Sequence, residues 1–256
     1  MKIATWNINS LRVRLPHVLD WLKSNPVDVL ALQELKLTDD SFPRAEIEAA
    51  GYHAVFSGQK TYNGVALLSR EPMRDVDMGI PGFKDEQRRV ISASLGNVRV
   101  VNLYVPNGQS VGSDKYQYKL IWLEALRNWL GETFRHSEQI VVVGDFNIAP
   151  ADEDVHDPLV WKDQVLCSGP EREAFRALTT LGYRDLFRRF EQAPQSYSWW
   201  DYRAAAFRRN LGLRIDHILA NATFAQACGS CTIDVAPRKL ERPSDHAPVI
   251  AEFRLD

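Results

Sequence analysis

Residues 90–105 read Val-Ile-Ser-Ala-Ser-Leu-Gly-Asn-Val-Arg-Val-Val-Asn-Leu-Tyr-Val. Two runs rich in β-branched residues flank Gly96-Asn97, and a Gly-Asn pair between such runs is the signal for a tight two-residue hairpin. Strands joined that way are antiparallel, so this stretch argues against an all-parallel, doubly wound sheet. Working outward, short apolar runs recur at 2–8, 27–33, 53–57, 64–69, 140–144, 196–200, 213–220, 232–235 and 248–253, each ending in polar or turn residues. That is enough strand for two sheets. Between them, Leu15, Val18, Leu19 and Leu22 have helical spacing, and 115–135 carries an apolar face including Leu120, Leu123, Leu130 and Phe134. A further helix begins near Pro170, with Ser168 ahead of it, Glu171 and Glu173 in its first turn and Gly182 to stop it after Leu181. The expected class is α/β, two packed sheets flanked by helices.

At 256 residues, 45% hydrophobic and 25% charged, the chain has the composition of an ordinary soluble domain. Without a Pro/Gly/Ser linker or low-complexity tract, 1–256 is expected to be a single domain. No apolar run approaches the length of a membrane span, so no membrane partner is expected. Three cysteines, Cys167, Cys228 and Cys231, are too few and too oddly numbered for a disulfide framework, and the Cys228/Cys231 pair lacks the second ligand pair that zinc needs. The N-terminus lacks the apolar core of a signal peptide, and the expected compartment is the cytoplasm. Lys and Arg number 31 against 33 acids, net −2, so a nucleic-acid partner requires the basic groups to be segregated.

Acids and amides gather at strand ends: Asn7 and Asn9 after the first run, Glu34 after the second, Tyr104 and Asn107 after the hairpin, Asp145 and Asn147 after 140–144, and Asp245-His246 before the last; Asp216 interrupts 213–220. Hard oxygen ligands so placed suit Mg²⁺ or Mn²⁺ working on a phosphate. Each residue also has a plainer reading. Glu34 could be a solvated strand terminus, Asp145 and Asn147 could cap a turn before Pro150, Asp216 could lie on a sheet edge, Tyr104 could be a core aromatic and His246 a structural histidine. The constellation says more than its parts. Asn7 at the end of an early strand and Asp145 with Asn147 after a later one also suggest two similar halves meeting at one cleft.

The ordered set Trp-Asn-Ile-Asn at 6–9, Leu-Gln-Glu-Leu-Lys at 32–36, Asn-Gly-Val-Ala at 63–66, Tyr-Val-Pro-Asn-Gly at 104–108, Gly-Asp-Phe-Asn-Ile-Ala-Pro at 144–150, Ser-Trp-Trp-Asp-Tyr-Arg at 198–203, Leu-Arg-Ile-Asp-His-Ile-Leu at 213–219 and Ser-Asp-His-Ala-Pro at 244–248 closely resembles the exonuclease III family of abasic-site endonucleases, within the endonuclease/exonuclease/phosphatase superfamily. The resemblance covers essentially the whole chain. It implies a four-layer αββα sandwich with the site where the ends of the two mixed sheets meet. It further implies an Mg²⁺-dependent repair phosphodiesterase, with Mn²⁺ able to substitute, acting as a monomer on double-stranded DNA that carries abasic sites or 3′-blocked ends. Glu34 is then the principal metal ligand with Asn7 and Asn9 assisting, and the wider set around the ion comprises Asp145, Asn147, Asp245 and His246. Asp145 orients and deprotonates water, Asn147 holds phosphate or water, His246 with Asp216 forms an imidazole-carboxylate dyad, Asp245 lies behind it, and Tyr104 and Asn107 bind phosphate. The opposite assignment, His246 as base and Asp145 as ligand, stays open. A non-DNA phosphodiesterase of the same superfamily would share Asn7, Glu34, Asp145 and His246 but lack the 198–203 segment.

Between Arg184 and Arg214 seven arginines face three acids, a local surplus of +4, interleaved with Phe187, Phe190, Tyr197, Trp199, Trp200, Tyr202 and Phe207. That mixture can stack on an unpaired base or an extruded sugar. Trp199 matches the family's sugar-pocket aromatic; Trp200 and Arg203 lie beside it, and Lys115, Lys119 and Arg88 with Arg89 are further phosphate-contact candidates. Leu166 is bulky at a position on the pocket rim, where it could narrow the space for a flipped abasic nucleotide. A bifunctional enzyme is therefore expected, or one specialised for 3′ phosphates and 3′ ends with weak abasic-site incision.

Overall fold

In the computed structural model, which describes residues 1–133 and 139–255, the Gly96-Asn97 hairpin forms as expected: Leu95 pairs with Val98 and Gly96 takes φ +58°, as a two-residue turn requires. The strands it joins are β6 (Val90–Leu95) and β7 (Val98–Tyr104). Before them come β1 (Lys2–Asn7), α1 (Leu11–Ser24), β2 (Val29–Gln33), α2 (Arg44–Ala49), β3 (His53–Ser57), β4 (Val65–Ser69) and β5 (Arg74–Met78). After them come α3 (Asp114–Thr133), β8 (Ile140–Asp145), α4 (Pro158–Trp161), α5 (Gly169–Thr180), β9 (Tyr183–Asp185), β10 (Trp199–Trp200) and β11 (Gly212–Leu213). The chain continues through β12 (Asp216–Asn221), α6 (Ala222–Gln226), β13 (Cys228–Ile233) and β14 (Val249–Phe253).

One six-stranded sheet has the order β13-β14-β1-β2-β4-β3 and the other β5-β6-β7-β8-β12-β9. Each is mixed in the same way. A parallel pair, β1/β2 or β7/β8, is joined through a helix, α1 or α3, and flanked by antiparallel neighbours. The two halves suggested by the polar strand ends are thus present.

Alternation along the strands creates the layers. Ile3, Val29 and Ala31 face Val141, Val143 and Ile218 between the sheets, while Ala4, Trp6, Leu30 and Leu32 turn outward under Val18, Trp21 and Leu22 of α1. On the other side Val101, Leu103 and Val142 pack beneath Trp122, Leu123 and Leu126 of α3 and Phe175 of α5. The result is the expected αββα sandwich. Pro16 inside α1 costs about 3 kcal/mol, and burying Val18, Trp21 and Leu22 at roughly 1.5–3 kcal/mol each outweighs it.

Several sequence-based boundaries need correcting. The 196–200 run is only a two-residue strand, β10, paired with β11 in a small ribbon outside the main sheets. The 213–220 run breaks at Arg214-Ile215, so Asp216 begins β12 rather than interrupting a strand. The final run begins at Val249, and the 232–235 run starts earlier, at Cys228, which puts Cys228 and Cys231 in one strand. β5 escapes the apolar pattern because all five of its residues are exposed on a sheet edge. The helix expected at 170 matches, with Ser168 and Glu171 forming a reciprocal cap. Phe134 and Arg135, expected to extend the long helix, lie outside the described residues.

Candidate active site at the strand ends

Register brings the chemistry together. Tyr104 pairs with Asp145 and Asp145 with Asp216, so the ends of β7 and β8 and the start of β12 set three polar side chains abreast. In the facing sheet Asn7 pairs with Gln33, Glu34 follows at once, and His246 lies just ahead of β14. Both parallel pairs point their carboxyl ends at this place, where open α/β sheets bind ligands. Asn9, Glu34, Lys36 and Asn147 all take positive φ there, between 44° and 55°. For a non-glycine residue such a conformation costs on the order of 1–3 kcal/mol and persists only where the surroundings impose it.

At the centre, ligand atoms of Glu34, Asp145 and His246 lie within 4.8 Å of one another. The amide NH₂ of Asn7 donates to Glu34 at 2.8 Å and to Asp145 at 2.9 Å, tying the two sheets together. Asn7 thereby braces both carboxylates, while its own oxygen accepts the Asn9 N–H. His246 Nδ1 donates to Asp216 at 2.9 Å, and its Nε2 lies 3.8 Å from Asp145. Burial works to lower the imidazole pKa, but Asp216 first and Asp145 second lift it to about 10, so the ring is charged at neutral pH. Burial raises Asp145 to about 7 against the lowering charge of His246, with Asp216 adding to the rise. Tyr104 is pushed well up by burial and by Glu34 and Asp145, which keeps it a neutral donor toward Glu34.

Around this centre Asn107 donates to Asn147 Oδ1 at 3.1 Å, and Asn147 donates to the Val105 carbonyl and to Asp145. Asp245 accepts from Asn9 at 2.9 Å and from Trp199 Nε1 at 3.0 Å. Burial acts to raise its pKa, but the neighbouring His246 charge and those two bonds hold it below the usual carboxylate value. A cleft of about 800 Å³ opens beside Glu34, Tyr104 and Asn107, with Arg89 and Lys115 on its wall. Arg89 stacks 4.8 Å over the Tyr104 ring. Arg88 is exposed at the end of the same segment.

Supporting residues emerge that sequence reasoning did not single out. Lys36 bridges Glu34, at 2.8 Å, and Asn9. Ser244 donates to the Asn7 carbonyl and accepts the His246 N–H, while Ser198 accepts the backbone N–H groups of Ile215 and Asp216. One layer deeper, Gln33 donates to Asn102, which donates to the Leu32 and Ala66 carbonyls, a polar seam across the sheets. The quoted motifs contained these serines, amides and the lysine. Short polar side chains carry no periodicity that would mark them.

Other expectations are corrected. Lys119 is fully buried against Glu171 and cannot meet DNA phosphate. Trp200 is 2% exposed, packed with Tyr197 and Ala247 and bonded to Asn210, so it is a core aromatic. Phe187 and Tyr197 are buried likewise, and of the seven rings Trp199 and Tyr202 are accessible and bonded to site residues, Asp245 and Asn9. Arg214 and Arg188 are neutralised by Asp154, outside the interval counted, and Arg214 also by Asp185, so the local surplus overstates the positive surface. Arg203 is exposed and paired with Asp201. Leu166, 4% exposed, sits in an apolar cluster with Trp199 rather than standing in the pocket.

Comparison with known proteins agrees with this geometry. The sequence profile of the Endonuclease/Exonuclease/phosphatase family matches residues 4–246. Exodeoxyribonuclease III of Haemophilus influenzae is 38% identical over 99% of this chain and 100% of its own length. Among solved structures, the 3′ phosphatase NExo from Neisseria, bound to a product DNA hairpin, superposes with TM-score 0.97 at 49% identity over the full length of both chains. An AP endonuclease from Archaeoglobus fulgidus gives 0.96 at 41% identity, again over both full lengths.

Proposed function

The chain belongs to the Endonuclease/Exonuclease/phosphatase family, and on that premise we propose that it is a metal-dependent DNA-repair hydrolase acting on duplex DNA. The carrying observation is the convergence of Glu34, Asp145 and His246 at the strand ends beside the open cleft. Incision 5′ of an abasic site, removal of a 3′ phosphate and trimming of a 3′ nucleotide all break the bond between phosphorus and a 3′ oxygen. One centre can therefore serve all three.

The half-buried carboxylate of Glu34, with the buried carboxylate of Asp145 nearby, suits a hard divalent cation. Glu34 would be the principal holder of Mg²⁺ or Mn²⁺, whose charge would neutralise a non-bridging phosphate oxygen and the leaving 3′ oxygen. The charged His246, fixed by Asp216, offers its Nε2 proton to a phosphate oxygen. Asp145, raised by burial to about 7, is matched to taking a proton from water near neutral pH. That difference in proton affinity favours Asp145 over His246 as base. Tyr104, Asn107 and Asn147 donate from the opposite wall, and Trp199 faces the sugar. One chain supplies all these residues, which supports a monomer as the working unit. The free, buried cysteines fit a reducing cytoplasm, and among the described residues no helix is long and apolar enough to cross a membrane.

A bias toward 3′-end work over incision is the second reading, favoured by the high identity to a chain named as a 3′ phosphatase. The test compares three duplexes, with an abasic analogue, a nick ending in 3′ phosphate and a recessed 3′ end, each with Mg²⁺ and after chelation. Cleavage that depends on metal and disappears in His246→Asn supports the proposal. Cleavage that survives thorough chelation, or an undiminished His246→Asn variant, sinks it.

A further inference from the structure

Lys119 lies on the inner face of α3, fully buried, and its ammonium uses all three protons inside the protein. They go to the Asn147 carbonyl at 2.6 Å, the Asn107 carbonyl at 3.1 Å and Glu171 Oε1. Glu171, also buried, accepts the Leu166 N–H at 3.0 Å on that same oxygen and the Ser168 N–H at 3.1 Å on the other. One ion pair thus holds the backbone of both asparagines of the phosphate wall and the rim segment that seats Trp199. Two of the residues it holds are strained, Asn147 at φ +49° and Leu166 at φ +76°. The fit is close, since a Cβ on Gly108 would lie 3.2 Å from Lys119 Cδ.

A buried ion pair is a weak way to stabilise a fold, because apolar residues of similar volume often do as well or better. What the pair supplies here is directional bonding to carbonyls that no apolar side chain can hold. We propose that Lys119 and Glu171 are positioning residues, which hold Asn107 and Asn147 in the geometry that grips the scissile phosphate and tie that geometry to the pocket rim. The proposal rests on the nuclease reading above. Neither residue touches substrate, so its loss should lower turnover rather than affinity.

The experiment measures thermal stability, kcat and KM for removal of a 3′ phosphate from a nicked duplex, in wild type, Lys119→Met and the double variant Lys119→Met/Glu171→Met, below all melting temperatures. The single variant leaves Glu171 buried without its partner and should melt roughly 10 °C lower. Its kcat should fall about 10- to 100-fold with KM within about threefold, the signature of misplaced groups. The double variant removes both charges and should regain part of the lost stability, the Leu166 and Ser168 N–H groups being left unpaired, while kcat stays at least about tenfold down. Recovery of kcat together with stability overturns the proposal, because the pair is then structural only. A single variant within about twofold of wild-type kcat overturns it equally, and should it fail to fold the double variant alone decides. Metal-dependent cleavage by the wild type separates the two levels. Its absence sinks the nuclease reading and this inference together, whereas its presence with fully active variants sinks only the inference.

Discussion

Asp216→Asn offers the sharpest test of how the centre works. The substitution keeps the size of the side chain and its place at the start of β12, where its backbone N–H is bonded to Ser198. It removes the charge that holds His246. That imidazole stands at about 10 against an ordinary 6.5, despite burial that pushes it down. Asp216 is the largest contribution to that rise, ahead of Asp145. Losing the charge that orients the ring and holds its proton predicts a fall in kcat/KM on the order of 100-fold at pH 7.5. The loss should come through the ring, so the pair must behave as a unit. In a cycle of Asp216→Asn, His246→Asn and the double variant, the double should lie within about threefold of His246→Asn alone. The assay is single-turnover release of phosphate from a 3′-phosphorylated nick at saturating metal. Multiplicative losses across the cycle would falsify the dyad, since Asp216 would then be acting independently of His246.

Three other perturbations bear on the packing, the buried histidine and the pocket rim. At Gly144, φ is +144° and an added Cβ would lie 1.9 Å from the Leu103 carbonyl oxygen, next to Asp145; Gly144→Ala should therefore cost on the order of 3 kcal/mol, lower the melting temperature by about 6–12 °C and impair turnover, and a drop under 2 °C would contradict the packing. Burial first, and the Arg214 charge second, push the buried His217 down from 6.5 to about 4. The folded protein keeps that ring neutral while the unfolded chain protonates it, so its contribution is fully present above pH 6.5 and about 3 kcal/mol is lost as pH falls to 4; denaturant titrations should show a shallower acid slope in His217→Gln, and an unchanged slope speaks against it. Leu166→Gly relieves a strained φ of +76° and hollows the cluster under Trp199, so incision at an abasic analogue should rise severalfold relative to 3′-phosphate removal; a constant ratio removes Leu166 from the specificity argument.

The centre was legible in the sequence because its residues combine two visible signals, an apolar run and a hard ligand at its end. Glu34, Asp145 and His246 meet both conditions and do converge. Their supports do not. Glu171 is 52 positions from Lys119, and nothing local to either marks the other as its partner. A lysine near the start of an amphipathic helix reads as a surface charge until the tertiary fold buries it. The arginine-rich interval misled for a related reason: charge counted along the chain ignores pairing across it, and Asp154 lies 60 positions from the Arg214 it neutralises. Aromatic count overstated the DNA surface because alternate rings in a short strand turn inward, as Trp200 does while Trp199 stays at the rim.

The near-neutral total of −2 is consistent with a nucleic-acid enzyme once the distribution is considered. Asp145, Asp216 and Asp245 surround His246, and that buried negative surplus is what keeps the ring charged. Burial, with Asp216 and Glu34 adding to it, raises the proton affinity of Asp145. In the proposed mechanism base and cation thus arise from one electrostatic arrangement, and neither sheet can build it alone. Glu34 comes from the first sheet, Asp145 and Asp216 from the second, and His246 from the approach to β14 in the first. Asn7 closes the gap by donating one amide proton to each side. The proton chemistry of the centre is therefore a direct consequence of how the two sheets are stacked.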